Sequence, residues 1–350
     1  MSLEDDLTAV RDVHRFDEAR LERYLTDRMP DFRGPLTVRQ FVGGQSNPTY
    51  MLETPAARFV MRKKPSGTLL QSAHQVEREF RIIKALAATN VPVPRVHLLC
   101  EDIDVIGTAF FVMDYVAGRI FRDPLMPDSS PEERAACYDS MNDVLARLHK
   151  VDFRAVGLGD FGRPTGYVSR QVARWSKQYE ASKTEEIPEM KSLIEWLTAH
   201  IPPDDETTIV HGDYRMENII FDPAEPRVVA VLDWELSTLG HPLGDLGWSC
   251  RPYHCPPGID GVLSFQDVDR VSPGIPSEEE FVASYCRRVG RAAVPDWMFF
   301  VAFSFFRAAA IAQGIAMRAK IGTASAPDAA ERGARARLMA ELGWQVAQKL

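Results

Sequence analysis

The sequence predicts an α+β, bilobal fold, with a small antiparallel-sheet N-terminal lobe over residues 1–116 and a mainly helical lobe over 117–350. Three observations predict it. Short extended runs separated by turn residues fill the first third of the chain, and long helical patterns take over from Pro131. A dense polar motif, His211-Gly212-Asp213-Tyr214-Arg215-Met216-Glu217-Asn218, lies among apolar runs, and Asp233-Trp234-Glu235 follows fifteen residues after Asn218. At 350 residues and 45% hydrophobic, the chain is long enough to bury a substantial core, and its length suits two lobes better than one.

The elements follow in order. Residues 12–28 read as a helix, with Phe16, Leu21, Tyr24 and Leu25 near one face and Pro30 as its stop. Leu36–Val42, Thr49–Glu53 and Ala57–Lys63 read as strands of an antiparallel meander, the first two joined by Gly43-Gly44-Gln45-Ser46-Asn47. Ala73–Ala88 is an amphipathic helix with Val76, Phe80, Ile83 and Leu86 towards the core. Val96–Leu99 and Ala109–Met113 add two strands. Helices are then expected at 135–149, 167–180, 190–199, 277–289, 296–319 and 329–350. The short strands Thr208–Val210 and Val228–Leu232 support the motif loops.

Composition excludes several classes. The net charge is 41 minus 49, or -8, and no Lys/Arg block suggests a nucleic-acid or anionic-membrane surface. Five scattered cysteines without a CxxC pair argue against a disulfide scaffold, and Cys250, His254 and Cys255 lack a second cluster to complete a zinc site. The acidic N-terminus resembles no export or transit signal, so a cytoplasmic location is expected. Arg307 and Gln313 interrupt the apolar stretch 298–317, which reads as a buried helix rather than a membrane span.

The motif carries chemistry. Asp213 follows the apolar run Thr208-Ile209-Val210 in a turn opened by Gly212, where a carboxylate can orient an alcohol and accept its proton. Asn218 offers a neutral carboxamide oxygen suited to magnesium. The run 228–232 delivers Asp233 at a strand end, where a carboxylate can bridge metal and phosphates. His211 reads as a loop brace. Gly43 and Gly44 allow close backbone approach to phosphates, with Ser46 and Asn47 adding donors. On the strand ending Arg62-Lys63, alternation puts the two cations on opposite faces, with Arg62 preferred on the phosphate side and Lys63 second. Glu79 pairs with that cation, with Glu77 as the rival. Backbone around Met113 and Tyr115 can read an adenine edge. Asp245 either braces the motif loop or caps a helix.

These residues resemble the aminoglycoside phosphotransferase and choline kinase superfamily, a branch of the protein-kinase-like fold, through HGDYRMENIIFD and VLDWE. More narrowly, FVGGQSNPTY, FVMRKKPSG, AHQVEREFRI and DWELSTLGHPLGDLGW are similar to the kinase-like N-terminal domain of acyl-CoA dehydrogenase fusion proteins. The resemblance implies ATP and Mg2+ as cofactors. It places Asp213 on the catalytic aspartate, Asn218 and Asp233 on the metal ligands, Ser46 in the phosphate loop, and Arg62 where the wider superfamily often has lysine. It implies a small-molecule hydroxyl acceptor, in the fusion relatives a hydroxyacyl-CoA or hydroxy acid, and a functional link to an acyl-CoA dehydrogenase. An aminoglycoside or amino-alcohol kinase and a catalytically silent nucleotide-binding relative are the alternatives. Ser277-Glu278-Glu279-Glu280 reads either as an acidic subsite for a polycation or as a helix start. Arg332, Arg335 and Arg337 read either as a contact for CoA phosphate or as a solvated face.

Overall fold

The computed structural model describes residues 6–42, 47–65, 75–266, 272–323 and 328–349. The chain divides into two compact units, Met1–Asp123 with Met216–Ser237, and Pro124–Arg215 with Thr238–Leu350. The first is sheet-rich and the second mainly helical, as the α+β pattern predicts.

The first unit is built on a six-stranded antiparallel sheet of order β1-β2-β3-β4-β6-β5. The strands are β1 (Leu7–Thr8), β2 (Thr37–Phe41), β3 (Thr49–Glu53), β4 (Arg58–Lys63), β5 (Val96–Cys100) and β6 (Phe110–Asp114). β4 lies inside the sheet, with Arg62 opposite Thr49 on β3 and Phe111 on β6. The expected helix over 12–28 divides into a short turn at Asp12–His14 and a helix at Glu18–Arg28. Asp17 is extended, and its side chain accepts the Arg20 N–H, so the longer helix starts there. It buries Leu21 and Leu25 against Tyr50, Met61, Phe110 and Val112, each leucine contributing about 2 kcal/mol.

Helix Val76–Leu86 buries Val76, Ile82, Ile83 and Leu86, and with them one acid, Glu79. The hairpin of β8 (Ile219–Phe221) and β9 (Val228–Val231) also belongs to this unit, although the sequence division at 116/117 leaves it with the helical lobe. Backbone pairing explains the difference. Arg119 and Phe221 exchange N–H···O bonds at 2.8 and 2.9 Å, and Val231 N–H donates to the Pro92 carbonyl at 2.9 Å. A Cβ on Gly118 would lie 2.3 Å from the Phe221 carbonyl oxygen, so only glycine permits this approach.

The second unit packs helices Pro131–His149, Tyr167–Ser182, Pro188–Ala199, Leu243–Cys250, Glu278–Val289, Trp297–Lys320 and Ala329–Ala347 with the strand pair β7 (Thr208–Val210) and β10 (Thr238–Gly240). Trp297–Lys320 is apolar nearly all round, from Phe299 to Ala312. By length and composition it could cross a membrane, but 78% of its apolar window is buried inside the protein, as a core helix requires. Glycine at 333 lets Ala329–Ala347 approach it closely, because a Cβ there would lie 2.7 Å from that of Ala316. Ser277 and Glu280 form a reciprocal capping box, so the Ser-Glu-Glu-Glu run begins a helix.

Candidate active site

In the helical unit, β7 ends at Val210 and the chain turns through His211, Gly212 and Asp213. Gly212 has φ +86°, a conformation glycine adopts without strain. The turn is held by Asp245, which is buried and accepts the backbone N–H of His211 at 2.6 Å and of Gly212 at 2.8 Å. Asp245 sits within Leu243–Cys250 and caps nothing. Burial alone would push its carboxyl pKa up. The His149 hydrogen bond, the nearby histidines and the Gly212 N–H outweigh burial and hold it below the usual value. His211 braces the loop, its Nδ1 accepting the Asp213 N–H at 3.1 Å.

Both oxygens of Asp213 are engaged. Trp248 Nε1 donates to Oδ1 at 2.9 Å, and Arg215 Nε donates to Oδ2 at 3.2 Å. Arg307, on the long core helix, donates to the Gly212 carbonyl at 2.8 Å. The sequence reading missed Trp248 and Arg307 here. The signal for Trp248 was its spacing: it lies three residues after Asp245, on the same face of one helix. Arg307 had only its charge within an apolar run as a signal.

In the sheet-rich unit, Arg62 is the focus. Its guanidinium bonds Glu79 at 2.5 Å and Asp233 at 2.7 Å, and Glu235 lies 3.6 Å away. Burial would lower the Arg62 pKa, but Glu79, Asp233 and Glu235 more than offset it and hold the group charged. Burial pushes Glu79 up, with Asp233 and Glu235 adding to the effect while Arg62 opposes it. The alternation of β4 thus puts Arg62 on the face of the acids. Lys63 is buried on the other face, its pKa lowered by burial, and Glu77 pairs instead with Lys64.

The β8–β9 hairpin brings Asn218 and Asp233 to adjacent ends, and Leu232 N–H donates to the Asn218 carbonyl at 2.8 Å. Asp233 adopts φ 64°, ψ 60°, rare for a residue with a side chain and common at functional turns. Asp233, Glu235 and the Asn218 carboxamide make a hard-oxygen donor set of the kind magnesium takes with phosphates, so these residues fit the ion. The Arg62 contact uses Oδ1 of Asp233.

Met113 is buried on β6, paired with Val60 and Val96. Tyr115 is half-buried beneath the Arg58 guanidinium, 5.9 Å from its ring centre. The N–H groups of Asp114 and Tyr115 reach the carbonyls of Arg95 and Arg58 at 2.8 and 3.5 Å, so an adenine edge would use other backbone groups here. Asn47 is buried next to β3. Gly43, Gly44 and Ser46 lie outside the described residues.

Other motifs fall away from this chemistry. His254 bonds Glu278 at 2.9 Å and Cys255 Sγ donates to the Arg251 carbonyl, so two of the Cys-His-Cys trio are engaged by neighbouring residues. Among the described residues, Asp204, Glu206 and His241 have metal-ligand spacing. Arg291 already bonds both carboxylates, and His241 Nδ1 accepts the Leu243 N–H, which leaves the proton on Nε2. Arg332, Arg335 and Arg337 pair with Asp328, Glu331 and Glu185. A cavity of about 380 Å³ beside Tyr253, His254 and Leu342 contains none of the candidate residues.

Mouse acyl-CoA dehydrogenase family member 10 is 47% identical over 341 residues, covering 97% of this chain and 32% of the relative. Chicken acyl-CoA dehydrogenase family member 11 is 45% identical over 358 residues, covering 100% and 46%. The chain thus spans from just under a third to just under a half of the length of these curated relatives. A crystal structure from Ralstonia eutropha JMP134, of a protein provisionally assigned as an aminoglycoside phosphotransferase, superposes with TM-score 0.86 at 50% identity, covering 96% of this chain and 99% of that one. Residues 37–281 match the phosphotransferase enzyme family, and the chain belongs to that family.

Proposed function

We propose that this chain is an ATP- and magnesium-dependent phosphotransferase acting on a hydroxyl of a small molecule, with a hydroxy acid or hydroxyacyl-CoA as the favoured acceptor. The observation that carries the reading is the Arg62 fork across Glu79 and Asp233. It supplies the strand cation, helix acid and metal-binding aspartate that phosphoryl transfer in this fold uses. Bound magnesium, held by Asn218 and Asp233, would neutralise charge on the phosphates.

The chain's own residues do the rest. Arg62 offers a fixed positive charge to the nucleotide phosphates, and Glu79 sets its direction. Asp213 receives the proton of the acceptor alcohol and points its oxygen. Trp248 and Arg215 fix the rotation of that carboxylate, and Asp245 fixes the loop that carries it. The relatives' names support a link to acyl-CoA dehydrogenase chemistry for the product.

The test is a transfer screen with γ-labelled ATP and Mg2+ over hydroxyacyl-CoAs, free hydroxy acids, amino alcohols, sugars and aminoglycosides. Label is expected in a hydroxy acid or its CoA ester. Label confined to aminoglycosides or amino alcohols would replace the acceptor class. Mg-ATP binding without transfer to any acceptor would favour a catalytically silent relative.

A further inference from the structure

Two arginines over the Trp248 ring lack the carboxylate partners that buried arginines usually have, although Arg307 donates to the Gly212 carbonyl. Arg307 is 4% exposed, and its Nε makes no hydrogen bond to the described residues. Arg251 has a buried Nη1 that is likewise unbonded. Among the described residues neither guanidinium has a carboxylate within ion-pair distance. Both lie over the same indole, Arg251 at 4.0 Å and Arg307 at 4.8 Å from the Trp248 ring centre. That indole donates to Asp213 Oδ1. Arg215 adds a third guanidinium on Oδ2.

One guanidinium therefore bonds this carboxylate, and two more lie over the indole that donates to it. Cation–π contact contributes only about 1–2 kcal/mol each, less than the cost of holding a guanidinium away from water. Burial pulls the Arg251 pKa down to about 10, with Arg215 and Arg307 adding to the effect and Asp213 opposing it. Asp245, on the same helix as Trp248, is already taken by two backbone N–H groups. A cationic acceptor would meet repulsion here. Two of the three glutamates in the acidic run that could have received one are engaged elsewhere: Glu278 binds His254 and Trp297, and Glu280 closes the capping box.

We infer that Arg251 and Arg307 form an anion subsite that recognises a carboxylate or phosphate group on the hydroxylated acceptor. The inference deepens the phosphotransferase reading and rests on it for the word acceptor. Binding the anion at Trp248 sets the alcohol next to the carboxylate that the same indole orients. Arg251 and Arg307 act on specificity, and Asp213 acts on the proton.

The experiment compares positional isomers of hydroxyhexanoate, their neutral amides and their CoA thioesters, as acceptors with Mg-ATP and as calorimetric ligands of Asp213→Asn protein. The wild type is expected to prefer an anionic form over the amide. Arg251→Gln and Arg307→Gln should weaken that form by about 10- to 100-fold, as loss of a charge-assisted bond predicts, with ATP binding unchanged. Preference for the free acid identifies the carboxylate as the anion, and preference for the thioester identifies the carrier phosphates. Arg307→Lys should recover part of the loss, and Arg251, half-buried where Arg307 is fully buried, gives a variant less prone to misfolding. Equal use of amide and anion by the wild type, or variants that weaken ATP instead, would overturn the subsite. If no acceptor here or in the wider screen is phosphorylated, the phosphotransferase reading fails. Calorimetry with Asp213→Asn, alone and combined with Arg251→Gln, then still decides whether the anion binds here.

Discussion

Replacing Asp245 with asparagine should loosen the loop that carries Asp213. The wild-type carboxylate accepts two backbone N–H bonds, from His211 at 2.6 Å and Gly212 at 2.8 Å, in a fully buried setting. Bonds to a charged acceptor contribute about 1.5–3 kcal/mol each. Asparagine keeps one carbonyl oxygen but turns an NH2 towards the second donor, so one bond is lost and a buried N–H is left without an acceptor, a further cost of about 1–3 kcal/mol. Removing a buried charge recovers part of its desolvation. The net loss is about 2–4 kcal/mol, or roughly 3–5 °C in Tm for a chain of this size. Thermal melts and steady-state turnover measure it, with kcat falling more than the KM for ATP changes. The folded pKa of Asp245 lies below its unfolded value, so its contribution is present above about pH 4 and lost as pH falls through the folded value. The gap between wild type and Asp245→Asn should therefore narrow in acid. A variant that melts within about 1 °C of wild type with normal turnover would refute the bracing role.

Other perturbations follow from the same geometry. Arg62→Ala leaves Glu79 buried and unpaired, and urea unfolding should show a loss of about 3–5 kcal/mol, with Arg62→Lys recovering part of it because lysine cannot fork between Glu79 and Asp233. His241 is kept neutral, with burial lowering its pKa from 6.5 to about 4. The unfolded chain binds the extra proton in that window, so stability should fall by about 2–3 kcal/mol as pH drops from 6.5 towards 4, and melts of His241→Gln should lack that slope. Gly333→Ala places a Cβ 2.6 Å from Ala316 Cα, and chemical denaturation should register about 1–3 kcal/mol of overpacking. Unchanged stability there would mean that the two helices can part freely.

Much of this was legible in the residues. Strong period-two runs marked β2 to β6, and the alternation at Arg62 and Lys63 named the cation that meets Glu79. What escaped were elements too short to carry a period, β8 and β10, and helix Leu243–Cys250, whose glycines at 244 and 247 read as loop. Gly247 is needed there because a Cβ would lie 2.7 Å from the Phe300 carbonyl oxygen. Trp248, Arg251 and Arg307 were hidden for a different reason. Arg307 is 95 residues from the Gly212 carbonyl it binds, and only packing brings it there.

Single-turnover transfer from γ-labelled ATP tests the role of Asp213 most directly. With the best acceptor from the screen, Asp213→Ala should cut the transfer rate by about 100-fold or more, the scale of a lost general base, while calorimetry shows Mg-ATP bound as in wild type. Near-normal transfer by Asp213→Ala would contradict the assignment of the proton-accepting carboxylate.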